Sequence, residues 1–143
     1  MSAHDGFAYL RTTGFDAMMP IADSGKMAVN HVVNGDSGST RCMVTAFIHA
    51  PGQSSPAGFH RHEFDKVMYV VEGTESVQIE DETFEAKAGD VVFFPAGVAH
   101  RNWNASDGYV KLMSFITPLP DPAKPLSNPV AAQASAPASG SDC

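Results

Sequence analysis

His60 and His62 stand two residues apart, and a third histidine, His100, closes the run Pro95-Ala-Gly-Val-Ala-His100. Successive side chains on a β-strand point to opposite faces, so an i, i+2 pair projects from one face. Two imidazoles placed in this way can share one cation, each at about 2.0–2.1 Å if the metal is zinc. His100 follows the strand-like run 91–94 and the turn 95–97, which places it to bring the third ligand. Imidazole suits zinc, copper, iron and nickel alike, so donor type does not choose among metals. The expected cofactor is a divalent transition metal (Fe, Ni, Mn, Zn or Cu) on His60, His62 and His100.

Other residues carry chemistry of a less specific kind. Tyr69 is a candidate proton donor. Phe47, Met68 and Trp103 are candidate lining for a substrate pocket, with Trp103 nearest the third histidine. His31 and His49 fall on strand-like segments and offer further imidazoles. Arg61 lies between two histidines of one face, so strand parity sends it to the other. Glu63 is at odd parity to His62 and is likewise expected to face outward.

These groups need short strands to position them. Runs 27–33, 41–49, 67–71, 75–80, 83–86, 91–94 and 109–117 are rich in β-branched and aromatic residues or alternate in polarity. Turn signals separate them: Asn34-Gly, Glu72-Gly73, Asp81-Glu82 and Ala88-Gly-Asp90. Residues 50–58, with two prolines and two glycines, read as a loop. Strands at steps of roughly 8–12 residues indicate an all-β sandwich or barrel. Residues 1–26 form an N-terminal arm in which 15–20 suit a lead-in turn or short strand. Residues 27–117 form the barrel. Residues 118–143, rich in Pro, Ala and Ser, bury too little apolar area to offset their ordering entropy. The first half of that tail is expected to lie along the barrel and the last dozen residues to stay mobile.

The 143 residues suit one domain, and 43% hydrophobic residues permit a core of normal size. The net charge is −7, and the tail carries only Asp121, Lys124 and Asp142, so the acidity belongs to the rest of the chain. Such a chain, without a Lys/Arg run, is a poor partner for nucleic acid or an anionic membrane. Cys42 and Cys143 are far apart, which favours reduced thiols and a cytoplasmic setting. The first residues have neither a basic start nor an apolar run, so no secretory signal is expected.

The spacing Gly89, Pro95, Gly97, His100, Asn104 resembles the second motif of the cupin superfamily at every fixed position. His60, His62 and Gly73 resemble the first motif, although Ser54 stands at its leading glycine and Gly58 lies too near the pair. The resemblance covers residues 40–117. It implies a double-stranded β-helix, a jelly-roll barrel with the metal inside its mouth. At position 66, where the family places a glutamate ligand, this chain has Lys66. An ammonium a few ångströms from a divalent cation is repulsive by several kcal/mol at an effective dielectric of about 20. Three outcomes stand open. Lys66 points away and pairs with Glu63, Asp65 or Glu85, leaving three histidines; it is neutral and serves as base or nucleophile; or no metal binds and Lys66 holds an anionic substrate.

The resemblance implies a small-molecule enzyme, with a dioxygenase-type or C–C bond-cleaving reaction on a small carbonyl or enol compound as the first expectation. A non-redox isomerase, lyase, dehydratase or cyclase using Lys66 and Tyr69 is the alternative, and a ligand-binding protein without turnover a further one. Fold alone does not choose among them. It also implies a homodimer, to which residues 1–26 are placed to contribute.

Overall fold

The structure, a computed structural model, describes residues 3–4, 7–54, 56 and 58–130. A small hairpin, β1 (Ala3–His4) and β2 (Phe7–Ala8), precedes helix α1 (Phe15–Asp23). The strands are then β3 (Ala28–Val33), β4 (Met43–His49), β5 (His60–Arg61), β6 (Asp65–Glu72), β7 (Thr74–Ile79), β8 (Glu82–Lys87), β9 (Val91–Phe94), β10 (His100–Trp103), β11 (Val110–Thr117) and β12 (Asn128–Pro129). Two five-stranded sheets face each other, ordered β12-β5-β10-β7-β8 and β3-β4-β11-β6-β9, with every pairing antiparallel. Apart from the hairpins β3–β4 and β7–β8, consecutive strands from β4 to β12 cross between the sheets, as the expected all-β barrel requires.

Alternation along the strands builds the interior. On β6, Lys66, Met68 and Val70 are buried, while Asp65, Tyr69 and Val71 face out. On β11, Val110, Leu112, Ser114 and Ile116 are buried in the same rhythm. Met68, Val70, Val77, Ala86, Val92, Phe94, Val110 and Leu112 form the central cluster, with apolar residues from both sheets. At about 25 cal/mol per Å2 of apolar surface removed from water, this burial is the main favourable contribution to folding.

Helix α1 corrects the expected lead-in turn or short strand. Phe15, Met18, Met19 and Ala22 recur at helical spacing and make one apolar stripe. Met18 and Ala22 bury it against Ala28, Ala46 and Ile48. Pro20 sits inside the helix, where packing outweighs its missing N–H. Asn128–Pro129 adds an edge strand beside β5, and the Val130 N–H donates to the Phe59 carbonyl. The mobile segment expected at the chain end falls on 131–143, outside the described residues.

Two motif positions show why their residue types are needed. Gly73 turns β6 into β7 at φ 88°, and a Cβ there would lie 2.6 Å from the Tyr109 carbonyl oxygen. Asn104 donates from Nδ2 to the carbonyls of His49 and Gly108, while its Oδ1 accepts from the Ser106 N–H. It replaces a ladder across the 104–108 loop.

The Gly73→Ala substitution combines a left-handed backbone with a backbone clash. It is expected to destabilise the fold by about 3 kcal/mol or more. Chemical denaturation of the full chain measures this.

Candidate metal centre

His60 on β5 pairs directly with His100 on β10, and His62 follows at the same parity as His60. All three are buried. Their ring centroids lie 4.4 Å apart for His60–His100 and 4.9 Å for each other pair. One ring nitrogen from each falls within 4.8 Å of the other two.

Backbone carbonyls fix the tautomers. Nδ1 of His60 lies 3.1 Å from the Gly58 carbonyl oxygen, and Nδ1 of His100 lies 3.0 Å from that of Val98. Nδ1 of His62 lies 2.8 Å from the carbonyl oxygen of Leu126, in the tail. A carbonyl oxygen only accepts, so each Nδ1 carries the proton and each Nε2 keeps its lone pair. The three Nε2 atoms are buried and make no hydrogen bond to a described residue. Orphaned acceptors of this kind are costly unless a ligand takes them. The arrangement fits a cation, and outer hydrogen bonds that orient ligand imidazoles are the usual support of such a site. Phe64 stacks on His62 and Phe94 tilts against His100, so the rings have an apolar backing.

Burial holds all three imidazoles below the ordinary histidine value. His62 is pushed down to about 4 and His100 to about 3, against the opposing pull of their backbone hydrogen bonds. His60 is lowered for the same reason. Lys66 adds a smaller push in the same direction, by repelling a second positive charge. All three are therefore neutral near pH 7 and ready to ligate.

Lys66 does not point away. It lies on the inner face of β6 and is only 7% exposed. Of the expected partners, Glu63 pairs with Lys124 at the surface, Asp65 accepts from the Ala96 N–H, and Glu85 is exposed on β8. Lys66 Nζ lies 5.9 Å from the Phe47 ring centroid and 5.4 Å from that of Phe94. Burial lowers its pKa to about 8, opposed by the attraction of Glu75.

Phe47 and Met68 share a small interior cavity with Lys66. Tyr69 and Trp103 do not join them, which corrects the reading from sequence. Tyr69 alternates out of the barrel and is 38% exposed. Trp103 has the parity of Arg101, opposite to His100, and the Arg101 guanidinium lies 4.7 Å from its ring. His31 bonds Thr45 Oγ1 and lies away from the triad, whereas His49 is buried inside the barrel. Arg61 and Glu63 are exposed, as their parity indicated.

Four contributors escaped the sequence reading: Glu75, Asn102, Ser114 and the Leu126 carbonyl. Glu75 is fully buried, and its Oε2 accepts from His49 Nδ1 and Asn102 Nδ2, both at 2.8 Å. Period two places Glu75 on the face of Val77, and Asn102 on that of His100; parity was the available signal. No sequence pattern marks a distant carbonyl such as that of Leu126.

Comparison with known proteins agrees with this architecture. The Cupin domain family profile matches residues 47–116. A solved structure from Thermus thermophilus is 31% identical, with a TM-score of 0.60; the alignment covers 69% of this chain and 90% of that one. The polyketide cyclase RemF from Streptomyces resistomycificus is 22% identical, with a TM-score of 0.62, over 76% of this chain and 75% of that one. An uncharacterized protein of Streptomyces coelicolor is 37% identical over 57 residues, or 40% of this chain. That match spans about half of the relative, 54% of its length. The chain belongs to the cupin family, and its barrel is the double-stranded β-helix of that family. Among the described residues no helix is long and apolar enough to cross a membrane.

The lowered imidazole pKa values set a pH dependence. Between about pH 6.5 and pH 4 the unfolded chain binds protons on these histidines that the folded chain refuses. Metal-free protein is therefore expected to lose stability as pH falls through that window. Each such imidazole contributes a slope approaching about 1.4 kcal/mol per pH unit. Denaturation of chelator-treated protein across this range checks it, and His62→Leu is expected to flatten the slope.

Proposed function

We propose that this cupin is a metal-dependent enzyme acting on a small, largely apolar carbonyl or enol compound. The observation that carries the reading is the set of three buried Nε2 atoms turned to one point by spent Nδ1 atoms. A divalent transition metal held there supplies Lewis-acid polarisation of a carbonyl oxygen and, if redox-active, a place for O2 beside the substrate. With three protein ligands, coordination positions remain for substrate, as catalytic sites require.

Two reaction classes fit this frame. A dioxygenase-type or C–C bond-cleaving reaction asks little of the protein beyond the three ligands and an apolar wall. Non-redox chemistry, as in an isomerase, lyase, dehydratase or cyclase, asks for a proton carrier near the substrate. Lys66 favours the second class. It is buried on the inner face, close enough for its charge to depress all three imidazoles, and its pKa near 8 suits proton exchange near neutrality. Abstraction of a proton next to a polarised carbonyl is the step that such an amine performs when neutral, and protonation of an enolate the step that it performs when charged. Tyr69, outside the barrel, takes no part.

Protein purified without a histidine tag is expected to hold about one transition metal per chain, and His62→Ala to remove it. Metal analysis giving no stoichiometric metal in the wild type overturns the reading. A panel of small 1,3-dicarbonyl compounds separates the two classes. Exchange of the α-proton for deuterium without O2 uptake, abolished in Lys66→Met with metal retained, is the expected result; O2 uptake that survives Lys66→Met identifies the oxygenase.

A further inference from the structure

Beneath the histidine triad lies a second polar group of residues, drawn from both sheets. Its centre is Glu75, a carboxylate with no exposure, held on Oε2 by His49 and Asn102. The contact with Glu75 places the proton of His49 on Nδ1 and leaves Nε2 as an acceptor. That Nε2 is buried and makes no hydrogen bond to a described residue. Asn102 Oδ1 and Ser114 Oγ are in the same condition. His49, Asn102 and Ser114 all line one cavity of about 10 Å3, together with Phe47, Met68, Leu112 and Lys66.

Each observation has a separate physical weight. An unpartnered buried polar atom costs about 1–3 kcal/mol, and three around one cavity are rare in a native interior. A space of about 10–15 Å3 is what one water needs, provided that two to four polar groups surround it. Lys66 lines the same cavity and brings an ammonium donor to a space otherwise edged by two acceptor atoms and a hydroxyl. The hydrogen bond from His49 to a buried carboxylate is the arrangement that orients an imidazole for proton transfer at its other nitrogen.

We propose that this cavity binds a single water molecule, and that His49, positioned by Glu75 and Asn102, accepts protons from it on Nε2 as the buried base of a relay to Lys66. In the transfer an O–H bond of the water breaks as Nε2–H forms, and the electron pair stays on oxygen. The Lys66 ammonium returns a proton to that oxygen. The net change moves one proton from Nζ to Nε2 and regenerates the water. The Glu75 carboxylate faces the imidazolium so formed, which lowers the cost of the buried charge. The result is a neutral amine on the side of Lys66 that serves the histidine pocket. The use of the relay rests on the acid–base role proposed above for Lys66; its existence needs neither metal nor substrate.

The test is NMR on the full chain, labelled with 15N at lysine and histidine. A long-lived water cross-peak to the His49 ring is expected, with hydrogen exchange at Lys66 Nζ that proceeds through the relay. His49→Asn keeps a donor to Glu75 but has no atom in place of Nε2, and is expected to slow that exchange at least tenfold. Ser114→Val fills the cavity with a methyl group and is expected to remove the water peak and slow the exchange similarly. It stands in for His49→Asn should that variant fail to fold. A dry cavity, or exchange unchanged in the variants, overturns the proposal. Because the readout requires no metal, absence of stoichiometric metal would refute the metal reading and leave this one standing.

Discussion

The carbonyls of Gly58, Val98 and Leu126 each accept a hydrogen bond from the Nδ1–H of one imidazole, and this shared constraint makes three histidines a candidate ligand set. An imidazole free to choose its tautomer would offer either nitrogen, in either orientation. Pinned at Nδ1, each ring has one open lone pair, and strand pairing decides where it points. His60 and His100 are register partners, so their rings meet because β5 and β10 do. The carbonyls in turn are fixed by turns: Gly58 takes a left-handed φ of 80° and Gly97 one of 81°, and the Gly97 N–H donates to the His62 carbonyl. The loops thus act electrostatically through their peptide groups, with no contribution from their side chains.

The interior charge is arranged around a carboxylate on a different strand from the one the family motif suggests. Lys66 stands where a glutamate is customary, yet the barrel is not short of negative charge, because Glu75 is buried in it. A lone buried ammonium and a lone buried carboxylate are each expensive, and each lowers the cost of the other. Glu75 attracts the charged form of Lys66, while burial opposes it. The position therefore holds a lysine whose proton is loosely kept. The barrel thus carries a buried ammonium at 66 together with a buried carboxylate at 75.

Much of this was legible from residue types and spacing. The triad, the sheet class and most strand positions follow from period-two alternation and glycine placement. The inward placement of Lys66 was equally available, since it shares parity with Met68 and Val70, but the repulsion expected from a metal made an outward lysine look cheaper. The buried Glu75 shows what that reasoning omitted. Tyr69 and Trp103 fail by the same parity rule that succeeds for the histidines. Their chemistry drew attention that their strand positions did not support. The helix at Phe15–Asp23 was missed because its apolar stripe is short, and Pro20 within it is tolerated through the contact of Met18 and Ala22 with the barrel. The role of Leu126 was beyond reach, because a peptide carbonyl carries no mark in the sequence and its contact spans 64 residues.

That contact also gives the centre an order of assembly. Synthesis proceeds from the N-terminus, and both histidine motifs and every strand of the barrel core emerge before residue 126 does. Until then His62 has no acceptor for its Nδ1 proton, and β5 has no edge partner beyond it. The pocket is complete only when the chain has returned across it, so this late segment acts as a seal on the first motif. Until the tail returns, the His62 ring is held by its stack on Phe64 but lacks the carbonyl that fixes its tautomer. The first histidine motif is thus completed from the far end of the described chain, by the Leu126 carbonyl and the Asn128–Pro129 edge strand.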